Sequence, residues 1–464
     1  MTICICHFAE NEDILKEQAK ILKDSAAKYM SSIRPLLEQQ ERGLMTALPL
    51  GHNKIYGSRL LTTESLGVFL PFDEVNQFDK NGIYYGVNAI NKSLIIYDRA
   101  KGQNYNGLVL GSSGSGKSFS TKREITSVLL NKDANVYVID PDGEYTILAD
   151  AFNGTVIKIS PGNGVYINPF DLDIDTSYDR DLNPVAMKVD FICGMLETML
   201  GNGARLTPIQ RSIVDRCVQQ IYRPYLEHLA ELPPDRNGRK RTIDRSYCPT
   251  MQNLFDSLLS QPQAEAQNLA LVMETYTTGA FDTFAHRTNV DVESNFIVYD
   301  ISSIGTNLME IGLKVCANEV WNKMVENRKK ERWTWFYIDE FHLLLSNAST
   351  SEFVKTVWKR ARKYYGVPTG ITQNMDELLE SSEARAVINN TSFVYMLNLS
   401  LMDRNVLQDV LHLSNGDMEY VTNVDKGHGL IYTGAQCLPF EDEFPRGTEL
   451  YKIMSTSPKE DEAA

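Results

Sequence analysis

Long apolar runs are absent from this chain of 464 residues. No stretch approaches the roughly 18 consecutive apolar residues that a membrane-spanning helix needs. The first residues, MTICICHFAE, also lack the basic start and the apolar core of a signal peptide. We therefore exclude an integral membrane transporter, and we expect any membrane contact to be peripheral, through partners or through sequence outside this chain.

Paired cysteines are absent as well. The chain has seven cysteines, an odd number without any C-x-x-C pair, which is typical of reduced thiols in a cytosolic protein. The segment CICH at residues 4–7 is not followed by a second ligand pair at zinc spacing, so it predicts no zinc site. The cysteines are Cys4, Cys6, Cys193, Cys217, Cys248, Cys316 and Cys437.

Positive charge is in short supply: 46 Lys and Arg stand against 60 Asp and Glu, and the formal net charge is -14. This acidity opposes a general attraction to nucleic acid. A basic stretch at residues 233–247, PPDRNGRKRTIDRSY, leaves a local DNA contact open, with a solvated surface loop as the alternative. The length fits about three domains, and 43% hydrophobic residues can bury sizeable cores.

A glycine-rich motif stands out against this background. Residues 111–118 read GSSGSGKS and fit the phosphate-loop pattern G-x-x-x-x-G-K-[ST] at Gly111, Gly116, Lys117 and Ser118. In such a loop backbone N–H groups converge on the phosphates, the lysine reaches the β- and γ-phosphates, and the serine hydroxyl ligates Mg²⁺. We therefore predict a nucleoside triphosphate site with Mg²⁺ and with Lys117 as a catalytic residue; the loop leaves ATP and GTP open, and the family resemblance described below implies ATP as the cofactor. The predicted nucleotide-binding residues are Ser113, Gly114, Ser115, Gly116, Lys117, Ser118 and Phe119.

The flanking sequence places this motif between a strand and a helix. Residues 106–110, NGLVL, form a short apolar run before the loop, and residues 119–130, FSTKREITSVLL, can form a helix after it. This order puts the phosphates at a helix N-terminus, where unpaired N–H groups and the helix dipole favour negative charge.

A second constellation carries acids. The segment WTWFYIDE at residues 333–340 is an apolar strand that ends in Asp339 and Glu340, at the sheet edge where α/β folds bind ligands. This is the pattern of a Walker B element, in which Asp339 holds Mg²⁺ and Glu340 orients or deprotonates the attacking water. Capping of the next helix by the two acids is the alternative. Asp140 and Glu144 end another strand, and either a tuning role at the site or a plain turn role fits them.

Further site residues are expected after the acid pair. Gln373 in GITQN can hydrogen-bond a water and a γ-phosphate oxygen, which predicts a catalytic sensor role; a strand-end turn is the alternative. Phosphoryl transfer spreads charge over the equatorial oxygens, so a cation is expected, and WKRARKYYG at residues 358–366 supplies Arg360 and Arg362. We predict that Arg362 is an arginine finger for a neighbouring subunit, with Arg385 in reserve and a solvated helix face as the alternative.

The alternation of strand and helix signals predicts an α/β fold with a mainly parallel sheet. Together with the family resemblance described below, this implies a RecA-like P-loop NTPase core. An N-terminal helix over residues 11–40, with a stop at Gly43, precedes short strands beside this core. From residue 179 helical periodicity replaces the strand signal, which predicts an all-helical inserted subdomain. The predicted domains are 1–98 (N-terminal helix and β-rich segment), 99–178 with 289–454 (ATPase core), 179–288 (helical insertion) and 455–464 (disordered tail).

Individual strands are predicted from short apolar, β-branched runs. The antiparallel strands of the N-terminal part are expected at residues 65–72, 82–88 and 93–98. The core strands are expected at residues 106–110, 135–140, 155–159, 296–301, 333–339, 367–372, 392–397 and 429–433.

Several strings together resemble the VirB-four class of type IV secretion ATPases, in the HerA/FtsK branch of P-loop motors. They cover nearly the whole chain, and several have no role in P-loop chemistry. They are LPLGHNKIYGSRLLTTESLGVFLPF, GLVLGSSGSGKSFSTKREI, VYVIDPDGEYTILADAFNGTVIKISPG, RLTPIQRSIVDRCV, FYIDEFHLLL, KRARKYYG, GITQN and GLIYTGAQCLPFEDEFP.

The resemblance implies an ATPase at the cytoplasmic face of the bacterial inner membrane that powers pilus biogenesis and substrate transfer. It implies a hexamer or related oligomer in contact with other type IV secretion components, including the coupling protein and inner-membrane channel proteins. Such proteins carry a further N-terminal domain, so we expect a C-terminal fragment. The matched positions are Lys117 and Ser118 (Walker A), Asp339 and Glu340 (Walker B), Arg362 (the basic motif) and Gln373 (the strand-end glutamine).

Two other functions fit the same residues. One is a DNA-pumping translocase of the HerA/FtsK type, for which DNA-stimulated hydrolysis with a steep salt dependence is the signature. The other is a nucleotide-bound assembly scaffold with little turnover, in which ATP orders a docking surface.

Overall fold

A computed structural model gives the fold of two compact units, residues 1–74 and 75–464. In the described residues no helix combines the length and apolarity needed to cross a bilayer. The described residues are 4–28, 32–48, 50–55, 61–63, 76–172, 184–201, 203–231, 245–290, 294–345, 348–374, 382–434 and 436–456.

The first unit contains two helices, α1 (Glu12–Lys28) and α2 (Gln40–Ala47). The Asn11 side chain accepts the Ile14 N–H at 2.9 Å and so starts α1. The predicted single helix over residues 11–40 is wrong, because residues 32–39 are not helical. Pro35 accounts for the interruption, since proline has no N–H and disfavours helical backbone in the residue before it.

Gly43 is not a helix stop either. It lies buried within α2, and a Cβ atom there would come within 2.7 Å of the Leu36 side chain. The residue therefore permits close approach of the preceding segment rather than termination. The strand predicted at residues 65–72 lies outside the described residues.

The second unit is built on one sheet of eleven strands in the described residues, in the order β2-β1-β11-β10-β9-β3-β8-β7-β4-β6-β5. The strands from β9 to β5 in this order are all parallel, and β10, β11, β1 and β2 add an antiparallel extension. This arrangement confirms the α/β fold with a mainly parallel core. The strands are β1 Ile83–Asn88, β2 Leu94–Tyr97, β3 Gly107–Leu110, β4 Ala134–Asp140, β5 Thr155–Lys158, β6 Phe296–Asp300, β7 Trp333–Ile338, β8 Gly366–Thr372, β9 Phe393–Met396, β10 His428–Tyr432 and β11 Cys437–Glu441.

Two strands differ in placement from the predicted organisation. The hairpin of β1 and β2, which the sequence groups with the N-terminal segment, belongs to the core sheet through the pairing of β1 with β11. Strand β11 was not predicted, because Pro439 lies in its middle and proline argues against a strand interior.

Helices cover both faces of the sheet. Side chains of β4 alternate, with Tyr137 and Ile139 in one core and Val136 and Val138 in the other. A strand that is buried on both faces therefore has apolar residues at consecutive positions in the sequence. The helices are α3 Lys117–Asn131, α4 Thr146–Ala151, α5 Pro184–Leu200, α6 Pro208–Glu231, α7 Met251–Leu259, α8 Ala264–Thr277, α9 Thr306–Lys329, α10 His342–Leu345, α11 Ala348–Arg360, α12 Ser382–Asn389, α13 Leu401–Leu411, α14 Asn415–Glu419 and α15 Glu449–Met454.

All regular secondary structure in the described residues of the inserted segment is helical, from α5 to α8. Its apolar residues, such as Ile192 and Met251, share one core with residues of α9 such as Cys316. The basic stretch at residues 233–247 is described only from Arg245 onward, and Arg245 pairs with Glu319 of α9 at 2.8 Å. This end of the stretch is therefore fixed to the core.

A buried arginine joins three elements near the start of β3. Arg99 is 1% exposed, and its guanidinium donates to Oε1 of Glu124 on α3 at 2.9 Å. It also donates to the Thr369 hydroxyl at 2.8 Å, the Pro368 carbonyl at 2.9 Å and the Tyr105 carbonyl at 2.7 Å. Because a buried charge is tolerated only when paired and hydrogen-bonded, this network ties α3 and β8 to the segment before β3.

Replacement of Arg99 by Met is therefore expected to lower the free energy of unfolding by about 3–5 kcal/mol, since Glu124 is left buried without its partner. Urea unfolding measures the change. The control is Lys101→Met in the same turn, whose exposed pair with Asp79 predicts only a small change. Equal effects of the two substitutions would contradict the assignment.

Candidate functional site

The ends of three neighbouring parallel strands bring the predicted motifs together. Strand β8 lies between β3 and β7, and its register pairs Thr372 with Leu110 and Gly370 with Ile338. The phosphate loop, Gln373 and the acid pair follow directly after these strands, so they share the carboxyl edge of the sheet. Parallel α/β sheets bind their ligands at this edge.

The phosphate loop is held in a conformation that glycine permits. Gly114 and Gly116 have φ of 74° and 102°, which side chains other than glycine rarely adopt. The Ser112 N–H donates to the Asn398 carbonyl at 2.8 Å, which anchors the loop to the segment after β9. Helix α3 then begins at Lys117, so its first N–H groups face the loop. This is the geometry of an anion site at a helix N-terminus.

Lys117 lies at the centre of the loop. Its Nζ donates to the Gly111 carbonyl at 2.8 Å and to the Ser112 carbonyl at 3.1 Å. Burial lowers the pKa of Lys117, while the charges of Asp339 and Glu340 act in the opposite direction. The lysine is therefore within electrostatic reach of the acid pair, as a shared nucleotide site requires.

The other predicted loop residues occupy distinct environments. Ser113 and Gly114 are exposed, whereas the Ser115 hydroxyl is buried without a hydrogen-bond partner among the described residues. Ser118 is half-buried in the first turn of α3. The Phe119 ring packs at 5.8 Å from that of Phe444 and at 5.3 Å from that of Tyr451.

Asp339 is buried at the end of β7. It accepts the Glu340 N–H on Oδ1 at 2.9 Å and the Tyr145 hydroxyl on Oδ2 at 3.1 Å. Burial raises the pKa of Asp339 to about 7; the charge of Glu340 adds to this effect, and the two hydrogen bonds oppose it. Tyr145 was missed from the sequence, although it follows Glu144 in a turn already marked as facing this edge.

Glu340 has left-handed backbone, with φ of 46°. This conformation is unfavourable for a residue with a side chain, by about 1–3 kcal/mol, and such strain clusters at functional sites. Oε1 accepts from Gln373 Nε2 at 3.3 Å, and Oε2 lies 3.2 Å from His342 Nδ1. Gln373 and Glu340 are therefore in contact in the structure. His342, which the sequence did not indicate, also contacts Glu340.

The structure shows Asp140 in the turn role, one of the two alternatives for this residue. Its carboxylate accepts the N–H groups of Gly143, Glu144 and Tyr145 at 2.8, 3.1 and 2.9 Å. Burial raises the pKa of Asp140 to about 6, and these hydrogen bonds lower it. Asp140 therefore shapes the turn that delivers Tyr145 to Asp339.

The candidate arginines lie elsewhere in the chain. Arg362 donates to the Gln103 carbonyl and lies over the Tyr105 ring, both ahead of β3 and so at the amino edge of the sheet. Arg360 contacts Met187 of α5 at 3.4 Å, and Arg385 has an exposed side chain on α12. The structure therefore does not bring Arg362 to the phosphate loop of its own chain.

The raised pKa of Asp339 has a measurable effect on stability. Its folded pKa of about 7 is above the ordinary value of 3.8, so the protein loses stability as pH rises from about 4 to about 7, and the loss levels off above that range. We expect Asp339→Asn to stabilise the nucleotide-free protein at pH 8, and by about 2–3 kcal/mol more than at pH 5. Urea unfolding at both pH values tests this, with exposed Asp150→Asn as the control. A gain that is the same at both pH values would contradict the assigned burial.

The chain is similar to several known proteins. The structure of VirB4 from Thermoanaerobacter pseudethanolicus superposes with a TM-score of 0.68 at 21% identity, over 80% of this chain and 99% of that one. The conjugative coupling protein TrwB superposes with a TM-score of 0.49 at 13% identity, over 78% of this chain and 89% of that one. An uncharacterized Aquifex aeolicus protein is 62% identical over 39 residues, which span 8% of this chain and 14% of that relative.

The family match covers the site itself. The TraG P-loop domain model matches residues 90–432, a range that contains the phosphate loop, the acid pair and Gln373. The VirB4 likeness gives the same α/β fold. The chain therefore belongs to the TraG P-loop domain family and is a P-loop NTPase.

Proposed function

We propose that this chain is an ATP-hydrolysing motor of a type IV secretion system. One observation carries the proposal: the parallel strands β3, β8 and β7 place Lys117, Gln373 and Glu340 at one edge. These are the residue types that bind a γ-phosphate, sense it and activate water. The alternative of a helix-capping acid pair does not account for the contact between Gln373 and Glu340.

The donor set fits a magnesium-bound triphosphate. The loop offers N–H groups at the start of α3, the Lys117 ammonium and the Ser115 hydroxyl, which has no hydrogen-bond partner in the part of the chain that the structure describes. Ser118 and Asp339 would hold Mg²⁺, since hydroxyl and carboxylate oxygens are the ligands that this ion prefers. Mg²⁺ supplies neutralisation of charge on the β- and γ-phosphate oxygens when it is bound.

Glu340 is the proposed catalytic base. Its carboxylate takes a proton from the water whose oxygen bonds to the γ-phosphorus, while the bond from that phosphorus to the β–γ bridging oxygen breaks and ADP leaves. Gln373, which is hydrogen-bonded to Oε1, orients the water. Lys117 must exchange its two loop carbonyls for phosphate oxygens, and it then stabilises charge that develops in the transition state.

The cellular role extends this chemistry. Membership of the TraG P-loop domain family and the VirB4 fold support a motor at the cytoplasmic face of the inner membrane that powers pilus biogenesis and transfer of DNA or protein. The proposed partners are further copies in a hexamer, the coupling protein and inner-membrane channel proteins. DNA-stimulated hydrolysis would instead favour a HerA/FtsK-type translocase, and secretion without turnover would favour a scaffold.

Two substitutions distinguish ATP binding from ATP hydrolysis. Lys117→Ala is expected to weaken ATP binding about 10- to 100-fold, because a charge-assisted hydrogen bond is lost. Glu340→Gln is expected to keep ATP affinity while lowering kcat about 10²–10⁴-fold, because only the base is lost. Equilibrium ATP binding and steady-state hydrolysis, with and without single-stranded DNA, measure both. Normal turnover by Glu340→Gln would overturn the motor assignment.

The trans-finger proposal for Arg362 is tested by mixing variants. If Arg362 reaches the site of a neighbouring subunit, Arg362→Ala alone is expected to lower kcat about 10³–10⁵-fold. Mixed with Glu340→Gln, which keeps Arg362 but lacks the base, it is expected to recover activity. Exposed Lys363→Ala is the matched control and retains turnover. Full activity of Arg362→Ala alone, or no recovery in mixed oligomers, would contradict the finger.

A further inference from the structure

The orientation of the Glu340 carboxylate poses a structural problem. Its backbone is held at φ 46°, and only one of its oxygens has a well-aligned hydrogen bond, the one from Gln373. The other oxygen, Oε2, is buried and makes no aligned hydrogen bond among the described residues. A buried carboxylate oxygen without a donor is costly, and it leaves the group free to rotate.

The His342 ring lies beside this oxygen. Its side chain is 9% exposed, and Nδ1 lies 3.2 Å from Oε2 of Glu340. The same Nδ1 lies 3.2 Å from the Thr372 hydroxyl at the end of β8. That hydroxyl in turn accepts the Asn374 N–H at 3.2 Å. When Nδ1 carries the proton, that proton faces two acceptors, one on the base and one on the strand that leads to Gln373.

We propose that His342 is a positioning residue that fixes the Glu340 carboxylate for attack on the γ-phosphate. Gln373 and His342 then hold one oxygen each, so that the strained residue presents a single orientation toward the water. The proposal rests on the hydrolytic function above, and it assigns the effect to one ring nitrogen. A histidine that merely filled space in the core would have no such atom dependence.

Two amide substitutions separate the ring nitrogens. The amide of Asn branches at the same carbon as Nδ1, whereas the longer Gln places its amide near Nε2. We expect His342→Asn to keep kcat within about threefold of the parent, and His342→Gln and His342→Ala to lower kcat about 10- to 100-fold, as misplacement of a catalytic group does. The KM for ATP is expected to stay unchanged in all three.

Steady-state kinetics of the full chain measure kcat and KM. Thermal unfolding and ATP binding verify that each variant is folded. Equal kcat for the Asn and Gln variants, or a rise in KM with kcat intact, would overturn the proposal. Thr372→Val is a second variant if the Asn form fails to fold: it removes the other acceptor of Nδ1, and kcat is expected to stay within about threefold. A loss of tenfold or more there would assign the role to the threonine contact instead.

Failure of the inference is distinguishable from failure of the proposed function. If the unmodified chain hydrolyses ATP and Glu340→Gln does not, the base assignment stands whatever the His342 variants do. If Glu340→Gln hydrolyses normally, the hydrolytic site itself is wrong, and the positioning role falls with it.

Discussion

Hydrogen bonding between parallel strands that are buried on both faces is the constraint on which the rest of this structure depends. Every backbone N–H and C=O in β3, β8 and β7 must find a partner in the sheet, because helices exclude water from both sides. A slip by one residue would turn each strand's side chains to the wrong face. The register that satisfies the backbone therefore also sets the spacing of the phosphate loop, Gln373 and the acid pair.

The site and the core make opposite contributions to stability. At the carboxyl edge, desolvation raises the pKa of Asp339, and Glu340 is held in left-handed backbone. These features disfavour the folded state, as is common where charge is arranged for chemistry. At the amino edge, the terminal nitrogens of the Arg99 guanidinium have buried partners, and its charge is matched by Glu124. This pairing favours the folded state, in contrast to the carboxyl edge.

The sequence predicted those parts of the site that are local in the chain. The glycines and Lys117 are recognisable because a phosphate loop needs its residues at fixed spacing. The apolar strand before Asp339 indicates that the acid pair lies at an edge of the sheet. Tyr145 and His342 were missed because their roles depend on contacts across strands, which no spacing reveals.

Other errors have local causes that the sequence did contain. Pro35 interrupts the predicted first helix, although the helical spacing of apolar residues continues past it. Pro439 argues against a strand at its position, yet it lies within β11. The placement of Arg362 was also open to inference. A segment that precedes a strand running parallel to β3 must lie at the amino edge, opposite the phosphate loop.

The order of the strands has a consequence for synthesis of the chain. The Arg99 side chain donates a hydrogen bond to the Pro368 carbonyl, although the two residues are 269 positions apart. Strand β3 has β8 and β9 as its two neighbours. Strand β3, which leads into the phosphate loop, is synthesised before both β8 and β9. It therefore has neither neighbour to pair with while the ribosome makes the residues between them. Such non-local pairing is slow and leaves unpaired strand edges exposed. Nascent chains should therefore rely on holding chaperones until the last quarter has emerged.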